Sequence, residues 1–70
     1  MITAMKVLSV RKGLPIREVA RNAEMDEGTL YNFSKGKCIL PERHRDRVAQ
    51  ILGVTVSEIC DGNGWPVLEE

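Results

Sequence analysis

Features that are absent from the sequence exclude several classes of protein. No apolar run approaches the roughly 18 residues that a membrane-spanning helix requires. The amino-terminal segment MITAMKVLSVRKG carries charges where a signal peptide would be apolar. The sequence therefore predicts a cytoplasmic protein with no membrane partner. The two cysteines, Cys38 and Cys60, form no CxxC pair, so we interpret both as small apolar residues in a reducing compartment.

Features of catalytic and metal sites are equally scarce. The chain has one histidine, no Cys or His pair at metal-ligand spacing, no nucleophile beside a base and no phosphate-binding loop. His44 precedes Val48 by four residues on the predicted inner face of a helix, so we interpret it as a packing residue rather than a ligand. We expect no enzyme activity, no metal and no cofactor.

Net charge is also absent, but the charges are unevenly distributed. The chain has ten basic and ten acidic residues. All ten basic residues lie between Lys6 and Arg47, so residues 1–47, with six acids, carry +4. Residues 48–70 hold four acids and no base, and carry −4. This asymmetry either indicates an anionic partner for the basic part or is ordinary surface charge.

Local signals predict helices separated by turns, and no alternating stretch is long enough to predict a strand. Prolines mark two helix starts, glycines mark helix ends, Asp26 is a predicted N-cap, and Thr55-Val-Ser-Glu58 is a capping box. We expect one all-α domain over residues 1–61, with residues 62–70 as a loop-like tail available for a dimer contact. The predicted helices run from 2 to 12, from about 16 to 23, from Asp26 to Gly36, from Pro41 to Leu52, and from Thr55 to near Asp61.

The centre of the chain, IREVARNAEMDEGTLYNFSKG over residues 16–36, has the apolar spacing of two short helices that pack across a tight turn. Together with RKGLPIREVA, SKGK and VAQILGVTVSEI, this stretch resembles the lambda-repressor-like helix-turn-helix proteins, a family of phage repressors, Cro proteins and bacterial relatives of the Cro/C1 or XRE type. The resemblance covers residues 5–60. It implies a compact five-helix DNA-binding domain with the helix-turn-helix at helices 2 and 3. The inward positions of the motif are Val19, Ala20, Ala23, Met25, Leu30 and Phe33.

The sequence departs from the family pattern in three places. Ile16 replaces a glutamine that touches a phosphate in many members, so that contact is lost or made by backbone N–H groups. Glu24 replaces the turn glycine, at a cost of about 1 kcal/mol if the backbone is left-handed. Ser9 and Ser34 stand where the family often pairs an arginine with a glutamate, so neither charge is stranded.

The resemblance implies that helix 3 enters the DNA major groove with its outward strip facing base edges. Asn32 is the strongest candidate for direct reading, because its amide matches adenine. Glu27 either accepts from a cytosine amino group or simply suits the helix dipole. The expected base-reading residues are Glu27, Gly28, Thr29, Tyr31 and Asn32. The expected phosphate contacts are Arg17, Lys35, Lys37 and Arg43.

The resemblance also implies a homodimer on a two-fold symmetric DNA operator. Trp65 either joins the dimer interface or folds back on its own domain. The leading function is a phage- or plasmid-like transcriptional regulator that represses by occupying its operator; the alternative is an antitoxin or adaptor that uses the same fold to bind protein. The predicted interface residues are Val54, Val56, Ile59, Trp65, Val67 and Leu68.

Overall fold

A computed structural model describes residues 2–69. Within these residues, four α-helices and one 3₁₀ turn enclose the core, and a two-stranded antiparallel sheet joins the two ends of the chain. The order is β1 (Ile2–Thr3), α1 (Ala4–Lys12), α2 (Ile16–Asn22), α3 (Glu27–Ser34), α4 (Glu42–Leu52), the 3₁₀ turn (Val56–Glu58) and β2 (Leu68–Glu69).

All four α-helices end in the same backbone arrangement. In each, the chain turns through a left-handed residue, and the N–H of the next residue bonds back to a carbonyl five positions earlier, as in Leu14 to Ser9 and Val54 to Ala49. Glycine occupies the left-handed position after α1, α3 and α4, as the sequence predicts for helix ends. After α2 the position is Glu24.

The sheet corrects two sequence-based predictions. The first helix begins at Ala4 rather than at residue 2, because Ile2 and Thr3 pair with β2. The segment predicted as a loop-like tail is hydrogen-bonded to the body. The N–H of Ala4 donates to the Val67 carbonyl at 2.8 Å, and the N–H of Val67 donates to the Ile59 carbonyl at 2.9 Å. Residue 70 of that segment lies outside the described residues.

The predicted fifth helix is a single 3₁₀ turn over Val56–Glu58, so the fold is mostly helical rather than a five-helix, all-α structure. Its predicted capping box is present, with the N–H of Thr55 donating to Glu58 Oε2 at 2.7 Å. The helix stops early because the following backbone turns to pair with the carboxyl-terminal segment, and Cys60 forms an isolated bridge with Pro66.

One contiguous core contains the helix faces that the periodicity assigned to the interior. Each large side chain buried in this way stabilises the fold by about 1.5–3 kcal/mol. The two cysteines are free; Cys60 is buried, which raises the pKa of its thiol, and Cys38 is half-buried. His44 is half-buried at its predicted packing position. The largest fully buried residues are Phe33, Met5, Leu30, Leu40, Leu52, Ile59, Val19 and Val48.

Gly64 holds the carboxyl-terminal segment against α4. Its φ is +93°, its carbonyl accepts from the N–H of Leu40 at 2.9 Å, and it is buried. A Cβ here would meet the Arg45 guanidinium and lie 3.0 Å from the Leu40 carbonyl oxygen. Arg45 in turn donates its Nε–H to that oxygen at 2.8 Å, so the three residues form one contact.

We expect Gly64→Ala to lower the free energy of unfolding by roughly 1–3 kcal/mol, because the new methyl group meets Arg45 in a strained backbone conformation. Chemical denaturation monitored by Trp65 fluorescence measures the change. Gly62→Ala is the matched control, since a Cβ at Gly62 has no neighbour within 4 Å. Equal stability of the two variants would contradict this role for Gly64.

Candidate nucleic-acid interface

The turn between α2 and α3 sets the position of α3. The N–H of Glu24 donates to the Arg21 carbonyl at 3.1 Å, and the N–H of Met25 donates to the Ala20 carbonyl at 3.0 Å. Glu24 has a φ of 55° and is the one non-glycine residue with positive φ among residues 2–69. Glu24 therefore has the left-handed backbone to which the cost of about 1 kcal/mol applies.

The two faces of α3 differ in burial as predicted. Leu30 and Phe33 are fully buried, and Met25, just before the helix, is half-buried. On the opposite side a strip of residues is open to solvent; Tyr31 exposes 47% of its surface. We call these residues the α3 strip: Glu27, Gly28, Tyr31, Asn32 and Lys35, all of which are exposed.

Thr29 and Gly28 have local structural roles at the start of α3. The Asp26 carboxylate caps the helix, accepting from the Thr29 N–H at 2.9 Å and from the Thr29 hydroxyl at 3.2 Å. Thr29 is half-buried and lies outside the α3 strip. A Cβ at Gly28 would lie 3.0 Å from Asp26 Oδ2, so glycine leaves room for the capping carboxylate. Both residues therefore have a local structural role in the cap, and their base contacts stay a prediction.

Basic side chains surround Tyr31. The Lys35 ammonium lies over the Tyr31 ring, 4.6 Å from its centroid, within the range of a cation–π interaction. Lys35 lowers the pKa of Tyr31, first by hydrogen bonding to the phenolate and then by its charge, and the charges of Lys6 and Lys37 lower it further. Three lysines thus act on one exposed phenol.

Two surface clefts flank Tyr31. The first, of about 520 Å³, lies between α1, the start of α2 and α3, and its charged lining residues are Lys6, Arg17 and Glu27. The second, of about 400 Å³, lies between the start of α1 and the end of α3. We call this second space the lysine cleft; it is lined by Ile2, Thr3, Lys6, Tyr31, Ser34, Lys35 and Lys37. Tyr31 and Lys6 line both clefts and separate them.

The structure brings together three of the four predicted phosphate residues. Arg17 lines the first cleft, and Lys35 and Lys37 line the lysine cleft. Arg43 lines neither; it lies in the first turn of α4, and its Nε–H donates to His44 Nε2 at 3.3 Å. Sequence reasoning missed Lys6, which contributes to both clefts. No local pattern singles out this residue, because its neighbours in the clefts come from α3, far along the chain.

The residues that depart from the family pattern are all accommodated. The Ser9 hydroxyl donates to the Leu14 carbonyl, and the Ser34 hydroxyl donates to the Tyr31 carbonyl at 2.6 Å. Both serines are buried with a hydrogen-bond partner, so no charge is needed at either position. Ile16 is half-buried, packs against the core and also lines the first cleft.

The predicted dimer residues do not all reach the surface. Ile59 is fully buried in the core of its own chain, so the prediction that it contacts a partner is wrong. Val54, Val56 and Val67 are half-buried. Trp65 and Leu68 are exposed, by 46% and 53%. Trp65 thus has about half of its surface covered by its own chain, and its backbone N–H donates to Asp61 Oδ1 at 3.0 Å.

The described part of the chain contains neither a candidate metal site nor a candidate membrane-spanning helix. Within residues 2–69, no group of three or more His, Cys, Asp or Glu side chains is placed to hold a metal ion. None of the helices in this range has the length and apolar character needed to cross a membrane.

Comparison with known proteins adds no relative: no family model, no curated protein and no solved structure matches this chain. The candidate interface is therefore defined by its own geometry, namely the α3 strip and the basic residues of the two clefts.

We expect Glu24→Gly to raise the free energy of unfolding by up to about 1 kcal/mol, because glycine adopts the left-handed conformation without a steric penalty. Glu24→Ala is the matched control: it keeps the strain and removes the same carboxylate. That carboxylate contacts Arg47 at 3.5 Å in an exposed ion pair, which contributes little. Denaturant unfolding of both variants measures the difference, and a glycine variant no more stable than the alanine variant would contradict strain at this turn.

The single tyrosine provides a direct measure of the local potential. We expect Tyr31 to titrate below the ordinary value of 10.0, and Lys35→Gln to raise the midpoint, because Lys35 is the largest cause of the lowered pKa. Phenolate absorbance against pH measures both. Lys12→Gln, which removes a lysine that lines neither cleft, should leave the midpoint unchanged. A wild-type midpoint at or above the ordinary value would show that the lysines do not act on this phenol.

Proposed function

We propose that this protein is a sequence-specific DNA-binding regulator of the lambda-repressor-like helix-turn-helix type, which inserts α3 into the major groove of an operator. The α3 strip carries the proposal: it presents Tyr31 and Asn32 to solvent between basic side chains, on a helix whose other face is anchored in the core. A solvated surface helix needs no such arrangement, whereas a groove-reading helix needs each part of it.

The dimensions and chemistry of α3 fit this role. An α-helix with its side chains is about 10–12 Å in diameter, and the major groove, about 12 Å wide, admits it. Asn32 has an unobstructed amide that matches the N6 and N7 edge of adenine. Tyr31 has a phenol for a phosphate and a ring face for a thymine methyl group. Glu27 matches a cytosine amino group.

Basic residues on both sides of α3 supply the phosphate contacts in this proposal. Arg17 lies beside the first cleft, and Lys35 and Lys37 lie beside the lysine cleft. Neutralising phosphates in this way releases counterions and makes affinity depend on salt. The acidic residues of 48–70 contribute no lining residue to either cleft, so the zero net charge does not oppose binding at this surface.

A homodimer completes the proposal, because one such helix reads only a few base pairs and a two-fold symmetric operator doubles the number read. Trp65 and Leu68 are large apolar side chains with about half of their surface exposed, at the end of the chain that does not line the clefts. Two copies in contact through this region, with the half-buried Val54, Val56 and Val67, would repress by occupying the operator.

Selection of bound sequences from a pool of random duplexes tests the function. Recovery of one preferred site with two-fold symmetry, bound with an affinity that falls steeply as salt rises, is the expected result. An adaptor that uses the fold only to bind protein would form no DNA complex at any salt concentration. A complex without sequence preference would support phosphate binding but overturn specific reading.

Two substitutions separate base reading from phosphate binding. We expect Asn32→Ala to cost about 1–3 kcal/mol on the selected site and to relax preference at one base pair, whereas Lys37→Ala should weaken binding to every duplex alike and flatten the salt slope. Fluorescence anisotropy with matched and mismatched duplexes measures both. Asn63→Ala, at an exposed turn that lines neither cleft, is the control. Equal loss on all sequences for Asn32→Ala would remove it from the reading role.

A further inference from the structure

We propose that the lysine cleft binds one phosphate of the DNA backbone and that Lys6, from α1, is a phosphate-binding residue together with Lys35 and Lys37. This inference rests on the proposed function and adds to it a contact that comes from outside the α2–α3 unit. The ligand class is a phosphodiester held at the edge of the groove that α3 enters.

The charges of the cleft are unbalanced. Three of its seven lining residues are lysines, and none is acidic. The one ion pair within residues 2–69 joins Arg47 to Glu24, so no described carboxylate lies within 4.0 Å of the Lys6, Lys35 or Lys37 ammonium groups. Ammonium groups that converge without a counter-charge repel one another, and an anion between them relieves that repulsion. The cleft is therefore complementary to a negatively charged group.

Hydrogen bonds hold the walls of the cleft in place. Thr3 is buried, and its hydroxyl donates to the Ser34 carbonyl at 2.6 Å. The Thr3 hydroxyl oxygen also accepts from the backbone N–H of Lys6 at 3.2 Å. One threonine thus ties the backbone of Lys6 to the end of α3. On the opposite wall, the N–H of Lys37 donates to the Asn32 carbonyl at 2.9 Å. The lysines that would bind the anion project from backbone whose spacing is already set, which reduces the entropy cost of binding.

The phenol of Tyr31 reports the field at the mouth of the cleft. The charges of Lys35, Lys6 and Lys37 all lower its pKa, in agreement with their common place in the lining of the cleft. Lys6 belongs to α1, whereas Lys35 and Lys37 directly follow α3. The three lysines therefore meet in one cleft only because the tertiary structure brings these segments together.

The position of the cleft points to DNA as the source of the phosphate. Tyr31 and Lys35 belong both to the α3 strip and to the lining of the cleft. A duplex whose major groove receives the strip must bring one of its two phosphate backbones past the same residues, because these backbones form the edges of the groove. With DNA bound in this one position, the α3 strip faces the bases and the lysine cleft faces a backbone phosphate.

Lys6→Gln tests the assignment, with Lys12→Gln as the matched control. Both lysines are exposed and lie on α1, but Lys12 lines neither cleft. We expect Lys6→Gln to lower affinity for every duplex by less than about fivefold at 0.15 M salt and to reduce the salt slope by less than about 0.9, the full contribution of one neutralised phosphate, because Lys35 and Lys37 remain beside that phosphate. Lys12→Gln should change neither quantity, and Lys6→Arg, which keeps the charge, should retain the wild-type slope.

A duplex with one neutral methylphosphonate locates the contact. At one backbone position of the selected site, the methylphosphonate should weaken wild-type binding at least as much as Lys6→Gln does, and the two changes together should cost no more than the methylphosphonate alone. Additive losses at every position would overturn the assignment.

The possible failures are distinguishable. If the wild-type protein binds its selected duplex and Lys6→Gln binds equally well with the same salt slope, the lysine cleft is not a phosphate site and the proposed function stands. If the wild-type protein binds no duplex, the proposed function and this inference are both overturned.

Discussion

Burial of Leu30 and Phe33 is the interaction on which the candidate interface depends. These two side chains are fully enclosed, and they fix the rotation of α3 about its own axis. Once they face inward, helical spacing leaves Tyr31 and Asn32 no position but the outer face. The small residues Ala20, on α2, and Ala23, directly after it, are buried at the same junction, where bulkier side chains would force the helices apart.

The turn after α2 illustrates how much this packing can impose. All four helices end in the same hydrogen-bonded motif, and three of them use glycine where the backbone is left-handed. Glu24 adopts the same conformation without the freedom of glycine, at a cost of about 1 kcal/mol. Burial of Leu30 and Phe33 across the turn is worth several times more. The tertiary contacts therefore override the local preference of this residue.

The second constraint is the union of the chain ends. In a chain of 70 residues the core is small, and folding buries only about 60% of the surface of the unfolded chain. Pairing of β1 with β2, and anchoring of Gly64 on Leu40, bring both terminal segments into the hydrogen-bonded body. Because Thr3 of β1 also bonds to Ser34, this union places α1 beside the end of α3. The proposed phosphate site is a consequence of that neighbourhood.

Local physical chemistry made much of this protein predictable from its sequence. Helix starts at prolines and at Asp26, helix ends at glycines, the capping box at Thr55 and the buried face of α3 all depend on residues within a few positions of one another. Only the tertiary structure decided the features that join distant segments: the strands Ile2–Thr3 and Leu68–Glu69, the shortening of the fifth helix to one turn, the burial of Ile59 and the place of Lys6 beside Tyr31. A two-residue strand is too short to show a periodicity, and the local sequence around a surface lysine does not indicate which residues will lie beside it in the folded protein. Both acquire their roles from hydrogen bonds and charges contributed by segments that are distant in the sequence.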